Sequence, residues 1–186
     1  MALHDYLVIA FALLFTAAAM RIIGGLPSVL TSSNRYWVHS VFTALMPLAL
    51  AVGFWNEWAL RDVGWTLPLF LLALLGPSIK YFMSCTLVPE NPAEVQSWRE
   101  YYFNIRTRFF GGLTFLLIVQ PVGAYVFFGI PWNDPLRIAD ALFLGLAITG
   151  WVSKSPRVHG TLAVIQAGLI ILMIATFASQ PGWLAE

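Results

Sequence analysis

Lys80 stands in the largely apolar run LLGPSIKYFMSC, which holds no acidic residue to pair with an ammonium group. A charge in such a setting costs free energy, and two arrangements offset that cost. The stem can snorkel along the helix to a polar surface roughly 12 Å away, at about 1.5 Å per residue. Alternatively, the ammonium faces the interior of a bundle as an anion site, a proton carrier or the partner of a carboxylate. Ser84 lies one helical turn further on, on the same face. Just before Lys80, Pro77 has no N–H and leaves the carbonyl of Ala73 without its helical donor. Pro47 does the same to Thr43, and Pro121 to Leu117. Bent helices with spare carbonyls can open a central cavity, as channels and transporters require.

Gln120 and Gln166 fall near the middle of two other apolar stretches. Each amide can make up to four hydrogen bonds and finds none in lipid, so pairing across helices is expected, with each other or with a freed carbonyl. Binding a solute is the second use for such groups. Asp140 follows Arg137 by three residues, the spacing of an ion pair on one helical face.

His39 and His159 each begin an apolar stretch on the same side of the chain. Two neutral imidazoles at one depth offer a pair of axial ligands to haem b, or two ligands to a metal. No third ligand is spaced to help, and no HxxxH, ExxH or HxxEH pattern occurs. No cofactor is therefore expected, haem b being the alternative. His4 carries no signal. Cys85 is the single cysteine, which excludes an internal disulfide and a CxxC motif. There is no GxSxG elbow, no Gly-rich phosphate loop and no pair of carboxylates within one stretch, so no catalytic residue is assigned.

The elements that carry these residues follow from composition. The chain of 186 residues is 59% hydrophobic and 10% charged, with a mean hydropathy of +0.77. Soluble domains carry about 25% charged residues, so this chain could not clothe a water-facing surface and the lipid bilayer must surround most of it. The net charge of +1 supplies no basic face for nucleic acid. Six apolar stretches are long enough to cross the hydrocarbon core, at about 6–23, 36–54, 66–88, 109–130, 136–152 and 159–178. Gly24, Gly25 and Pro27 are expected to end the first, Pro131 the fourth, and Ser155-Pro156 to separate the last two. The N-terminal run lacks a basic flank and a small-residue cleavage site, so it is expected to be a permanent helix and not a signal peptide. All eight tryptophans fall at or just beyond the end of a stretch, the depth that an indole prefers in a bilayer.

Arg21, Arg35, Arg99, Arg106, Arg108, Lys154 and Arg157 gather on one side, and only Arg61 and Arg137 on the other. The positive-inside rule places the richer side in the cytoplasm and both termini outside it. The general character resembles small bacterial membrane proteins, which makes a bacterial inner membrane the expected location. The long connection before the fourth stretch predicts an interfacial amphipathic helix at about 92–108. Asn91 would be its cap, Pro92 its first residue, and Glu94 would reach back. Val95, Trp98, Tyr102, Ile105 and Phe109 share one of its faces, and Arg106 and Arg108 would lie near anionic headgroups. That face would pack on the lipid surface, or else dock a partner or move as a gate. The halves would have opposite orientations, as in an inverted repeat, but their residues do not match.

The expected architecture is a single all-α membrane domain over 1–186, with six transmembrane helices and one interfacial helix. Three functions follow in order. A small channel or transporter, working as a homo-oligomer, rests on Lys80, the prolines and the glutamines. A non-catalytic subunit of a larger membrane complex rests on the missing catalytic motifs and the small-residue helix faces. A haem or redox protein would rest on His39 and His159.

Overall fold

A computed structural model describes residues 3–177, and among the described residues every regular element is helical. The helices are α1 (Leu3–Thr31), α2 (Trp37–Asn56), α3 (Leu67–Leu87), α4 (Trp98–Phe128), α5 (Leu136–Val152) and α6 (Pro156–Phe177). Short 3-10 turns, Glu57–Asp62 and Pro92–Glu94, lie in the connections before α3 and α4. Five of these helices are long and apolar enough to cross a membrane. The sixth, α5, has 17 residues and reaches about 26 Å, a little less than the roughly 30 Å hydrocarbon core. Residue 178, Trp183 and both chain termini lie outside the described residues.

Short connections make consecutive helices antiparallel, and side-chain contacts set their register. Phe11 lies 6.4 Å from Phe70 between ring centroids, and Arg21 Nε donates to the Val88 carbonyl at 3.0 Å, so α1 and α3 run parallel. His39 of α2 stands 5.0 Å from Trp98, and Phe42 further along stands 5.5 Å from Phe110, so α2 and α4 run parallel too. The seven basic residues from Arg21 to Arg157 thus share one end of the bundle, the basic end. Arg61 and Arg137 lie at the other.

The fifth stretch was expected at 136–152, which are the bounds of α5, and the second and third differ from α2 and α3 by two residues at most. The first differs more. Gly24, Gly25 and Pro27 do not end α1, which continues to Thr31. Gly25 serves contact instead: a Cβ there would overlap the Val88 side chain, so its absence lets α1 approach the end of α3.

No separate interfacial helix forms. The segment from Trp98 onward is the first part of α4, which runs unbroken for 31 residues. Its cap is Ser97, whose Oγ accepts from the Glu100 N–H at 3.3 Å, in the S-x-x-E pattern of a capping box. Asn91 heads only the 3-10 turn, and its amide donates to Glu94 Oε1 at 3.1 Å. The periodic face is present, but it packs on protein and not on a lipid surface. Trp98, Tyr102, Ile105 and Phe109 are buried against the bundle, and Val95 packs beside them. Arg106 is buried as well and donates to the Ser153 carbonyl at 2.9 Å, whereas Arg108 is exposed. Trp37, Trp55, Trp58, Trp132 and Trp151 are exposed near helix ends, as an interfacial belt requires, while Trp98 is 1% exposed and belongs to the core.

Gly150 of α5 faces the Phe110 ring so closely that a Cβ would overlap it. Overfilling a packed interior costs roughly 1–3 kcal/mol. The Gly150→Val variant is therefore expected to unfold at a lower temperature than the unaltered protein in the same detergent. An unchanged midpoint would mean that α4 and α5 are not in this contact.

Candidate functional site

Lys80 is buried at the meeting of α1, α2 and α3. A helical side chain leans toward the N-terminus of its own helix, which for α3 is the end away from the basic one. The lysine follows that direction. Its Nζ lies 5.2 Å from the centroid of the Phe15 ring on α1 and against the backbone of Gly53 on α2, where a Cβ would overlap the ammonium. The stem therefore does not snorkel toward the basic end. The Phe15 face supplies a cation–π contact, and Gly53 makes the room.

The opposite charge comes from Glu57, one turn past Gly53, where α2 gives way to the 3-10 turn. Its carboxylate is within coulombic range of Lys80. The two do not touch: among the described residues the ion pairs closer than 4.0 Å are Arg61–Asp62 and Arg137–Asp140. Glu57 Oε2 is buried without a hydrogen-bond partner, and so are Asn56 Oδ1 beside it and Trp65 Nε1 just before α3. Most buried polar groups are paired, so this end of the bundle holds an ammonium, a carboxylate, an acceptor and a donor with capacity to bind something small and polar. Glu57 falls outside the stretch expected at 36–54, which is why sequence reasoning missed it. Its signal was the EW-x-x-R-D cluster that follows.

The other pathway candidates do not join this group. Ser84 is buried, but its hydroxyl donates to the Lys80 carbonyl of its own helix at 2.9 Å. Gln166 is buried on α6. Gln120 is exposed on the outer surface of α4, so the expected pairing of the two amides does not form. The Arg137–Asp140 pair forms as expected, at 2.8 Å.

His39 and His159 are both fully buried, at the basic end. Each has a structural task. His39 Nε2 donates to the Leu87 carbonyl at 3.0 Å, and the ring stacks on Trp98 with centroids 5.0 Å apart. His159 Nε2 donates to the Ser153 carbonyl at 3.0 Å, and its Nδ1 accepts from the Tyr102 hydroxyl at 2.7 Å. A carbonyl only accepts, so both rings carry their proton on Nε2. Tyr102 stands between the imidazoles, with centroids 6.1 Å from His39 and 5.3 Å from His159. Of the four ring nitrogens of this pair, His39 Nδ1 alone is without a partner. The pair does not fit a haem, because a ring in the space between them would displace Tyr102 and take His159 from its hydrogen bonds. Among the described residues no cluster of three His, Cys, Asp or Glu side chains is arranged to hold a metal.

Tyr101, Tyr102 and Arg21 join these histidines in a role that the sequence did not reveal. The Tyr101 hydroxyl donates to the Thr86 carbonyl at 2.8 Å, and Arg106 donates to Ser153 at 2.9 Å. Comparison with family models, curated proteins and solved structures found no match.

Lys80 and Glu57 should behave as one unit. In a double-mutant cycle of Lys80→Met and Glu57→Gln, followed by unfolding in detergent, the two changes are expected to be non-additive by about 0.5–3 kcal/mol, with the double variant less damaged than the sum. Strict additivity would show that the two charges do not sense each other.

Proposed function

We propose that this chain is a small membrane carrier or channel for an ion, with Lys80 as its fixed charge and Glu57 as the counter-charge that sets the electrostatics of the path. The basic end would face the cytoplasm, following the positive-inside rule. One observation carries the reading. The ammonium of Lys80 is turned into the junction of three helices toward a carboxylate that it does not contact. Ionisable groups held in this way inside a membrane bundle are costly, and they mark ion or proton pathways. A separated pair leaves space in which a third charge or a proton can be accommodated, whereas a closed ion pair would be saturated. Pro77, inside α3 one turn before Lys80, supports the same reading by weakening the helix where the path would need to adjust.

A second reading, assembly into an oligomer or a larger complex, draws on Gln120. Its amide is exposed in the apolar middle of α4. Lipid offers it no hydrogen bond, whereas a facing helix would. The two readings are compatible, since six short helices enclose little volume alone.

Flux can be read in liposomes with a pH-sensitive dye for protons and a chloride-quenched dye for anions. The unaltered protein is expected to pass one of these ions above the rate of empty liposomes. Lys80→Met should lower that rate at least about tenfold, while Arg61→Gln at the surface leaves it unchanged. No flux of either ion, or equal flux in Lys80→Met, would overturn the carrier reading. For assembly, native mass spectrometry after gentle extraction should find an oligomer or a defined complex that Gln120→Leu weakens; a lone monomer before substitution would refute it.

A further inference from the structure

A groove of about 750 Å³ opens at the basic end between α2 and α6. That volume lies in the range of about 300–1,000 Å³ that takes a small organic ligand. One end is polar and the other is not. Arg99 at the start of α4 and Arg157 at the start of α6 line its mouth, next to the Tyr36 ring. Beyond them the wall is apolar apart from Thr161. The half-exposed Trp37 indole lies over Gly160, where a Cβ would stand 3.1 Å from the ring, and Val164 and Ile165 follow along α6. Residues 160, 164 and 165 lie progressively deeper from the basic end, so the groove leads from a cationic mouth into the apolar zone.

The two arginines also differ from their neighbours. Arg21 and Arg106 hold backbone carbonyls. Arg99 and Arg157 are exposed, and neither has a carboxylate within 4.0 Å among the described residues. The nearby acids Glu90, Glu94 and Glu100 line a different groove. Two guanidinium groups with free N–H donors above an apolar channel match one chemistry, a phosphate esterified to a hydrocarbon chain.

We propose that this groove binds one anionic phospholipid, with its phosphate between Arg99 and Arg157 and an acyl chain laid along Trp37, Gly160, Val164 and Ile165. The choice of a lipid over a soluble anion rests on the apolar depth of the groove. The choice over an acidic peptide rests on its direction, which follows α6 into the membrane zone. The site is independent of the Lys80 pathway, which lies toward the opposite end.

The test incorporates the full chain into vesicles of phosphatidylglycerol and phosphatidylcholine in equal amounts, extracts it mildly and counts bound lipids by native mass spectrometry. The unaltered protein should retain one phosphatidylglycerol in preference to phosphatidylcholine, and added inorganic phosphate should not displace it. The double variant Arg99→Gln, Arg157→Gln should lower that preference roughly tenfold, while Arg61→Gln at the other end does not change it. Both arginines are exposed, so their replacement leaves the packed interior intact. Equal retention of the two lipids by the unaltered protein would overturn the proposal without any variant. So would displacement by inorganic phosphate, or an acidic protein that leaves the double variant while its lipids stay the same.

Discussion

A helix that ends inside a bundle leaves its last carbonyls without donors, and the basic end of this chain is organised by that shortage. The last turn of α3 supplies three of these carbonyls. Thr86 receives the Tyr101 hydroxyl, Leu87 the His39 imidazole and Val88 the Arg21 guanidinium. At the end of α5, Ser153 receives both Arg106 and His159. Each carbonyl left bare and buried would cost about 1–3 kcal/mol. The donors come from α1, α2, α4 and α6, so satisfying two helix ends ties four other helices to them at a fixed depth. Guanidinium groups at a helix C-terminus also complement its partial negative charge. The aromatic cluster of Phe42, Trp98, Tyr102 and Phe110 fills the space between these bonds.

The two ends of the molecule differ in how their buried polar groups are met. At the basic end five side chains are bonded to helix-end carbonyls, His39 Nδ1 and Arg106 Nε staying unpaired, and rings pack edge to face around them. At the other end Glu57, Asn56 and Trp65 hold buried polar atoms without a hydrogen-bond partner, and Lys80 has no carboxylate within 4.0 Å among the described residues.

Much of this architecture was legible in the residues. Continuous apolar runs and their lengths gave α2, α3 and α5 nearly to the residue, because a helix in lipid must satisfy its own backbone. The errors have physical causes. Periodicity shows that Trp98, Tyr102, Ile105 and Phe109 share a face, but lipid and protein are equally apolar partners, so the face was assigned to the wrong one. Gly24, Gly25 and Pro27 read as a stop signal, yet Gly25 is there to admit Val88. The histidines stand out in the sequence, but their partners lie at Leu87 and Ser153, and a separation of 48 positions from His39 to Leu87 hides that bond from any local reading. Lys80 was found because a lone charge in an apolar run is conspicuous. Glu57 was not, because a carboxylate beside a helix end looks solvated until its surroundings are known.

The unequal lengths of α4 and α5 bear on the membrane itself. Gly150 meets Phe110 and Trp151 meets Gly111, so the first dozen or so residues of α4, about 18 Å at about 1.5 Å per residue, extend past the end of α5. One flank of the bundle is tall and its neighbour is short. For α5 to cross, the bilayer beside it must pinch inward by several ångströms, while beside α4 it can keep its full height. With α5 in the bilayer, the ring of lipid around the protein would be uneven, and bilayer thickness would be a mechanical variable pressing on one side of this fold more than the other.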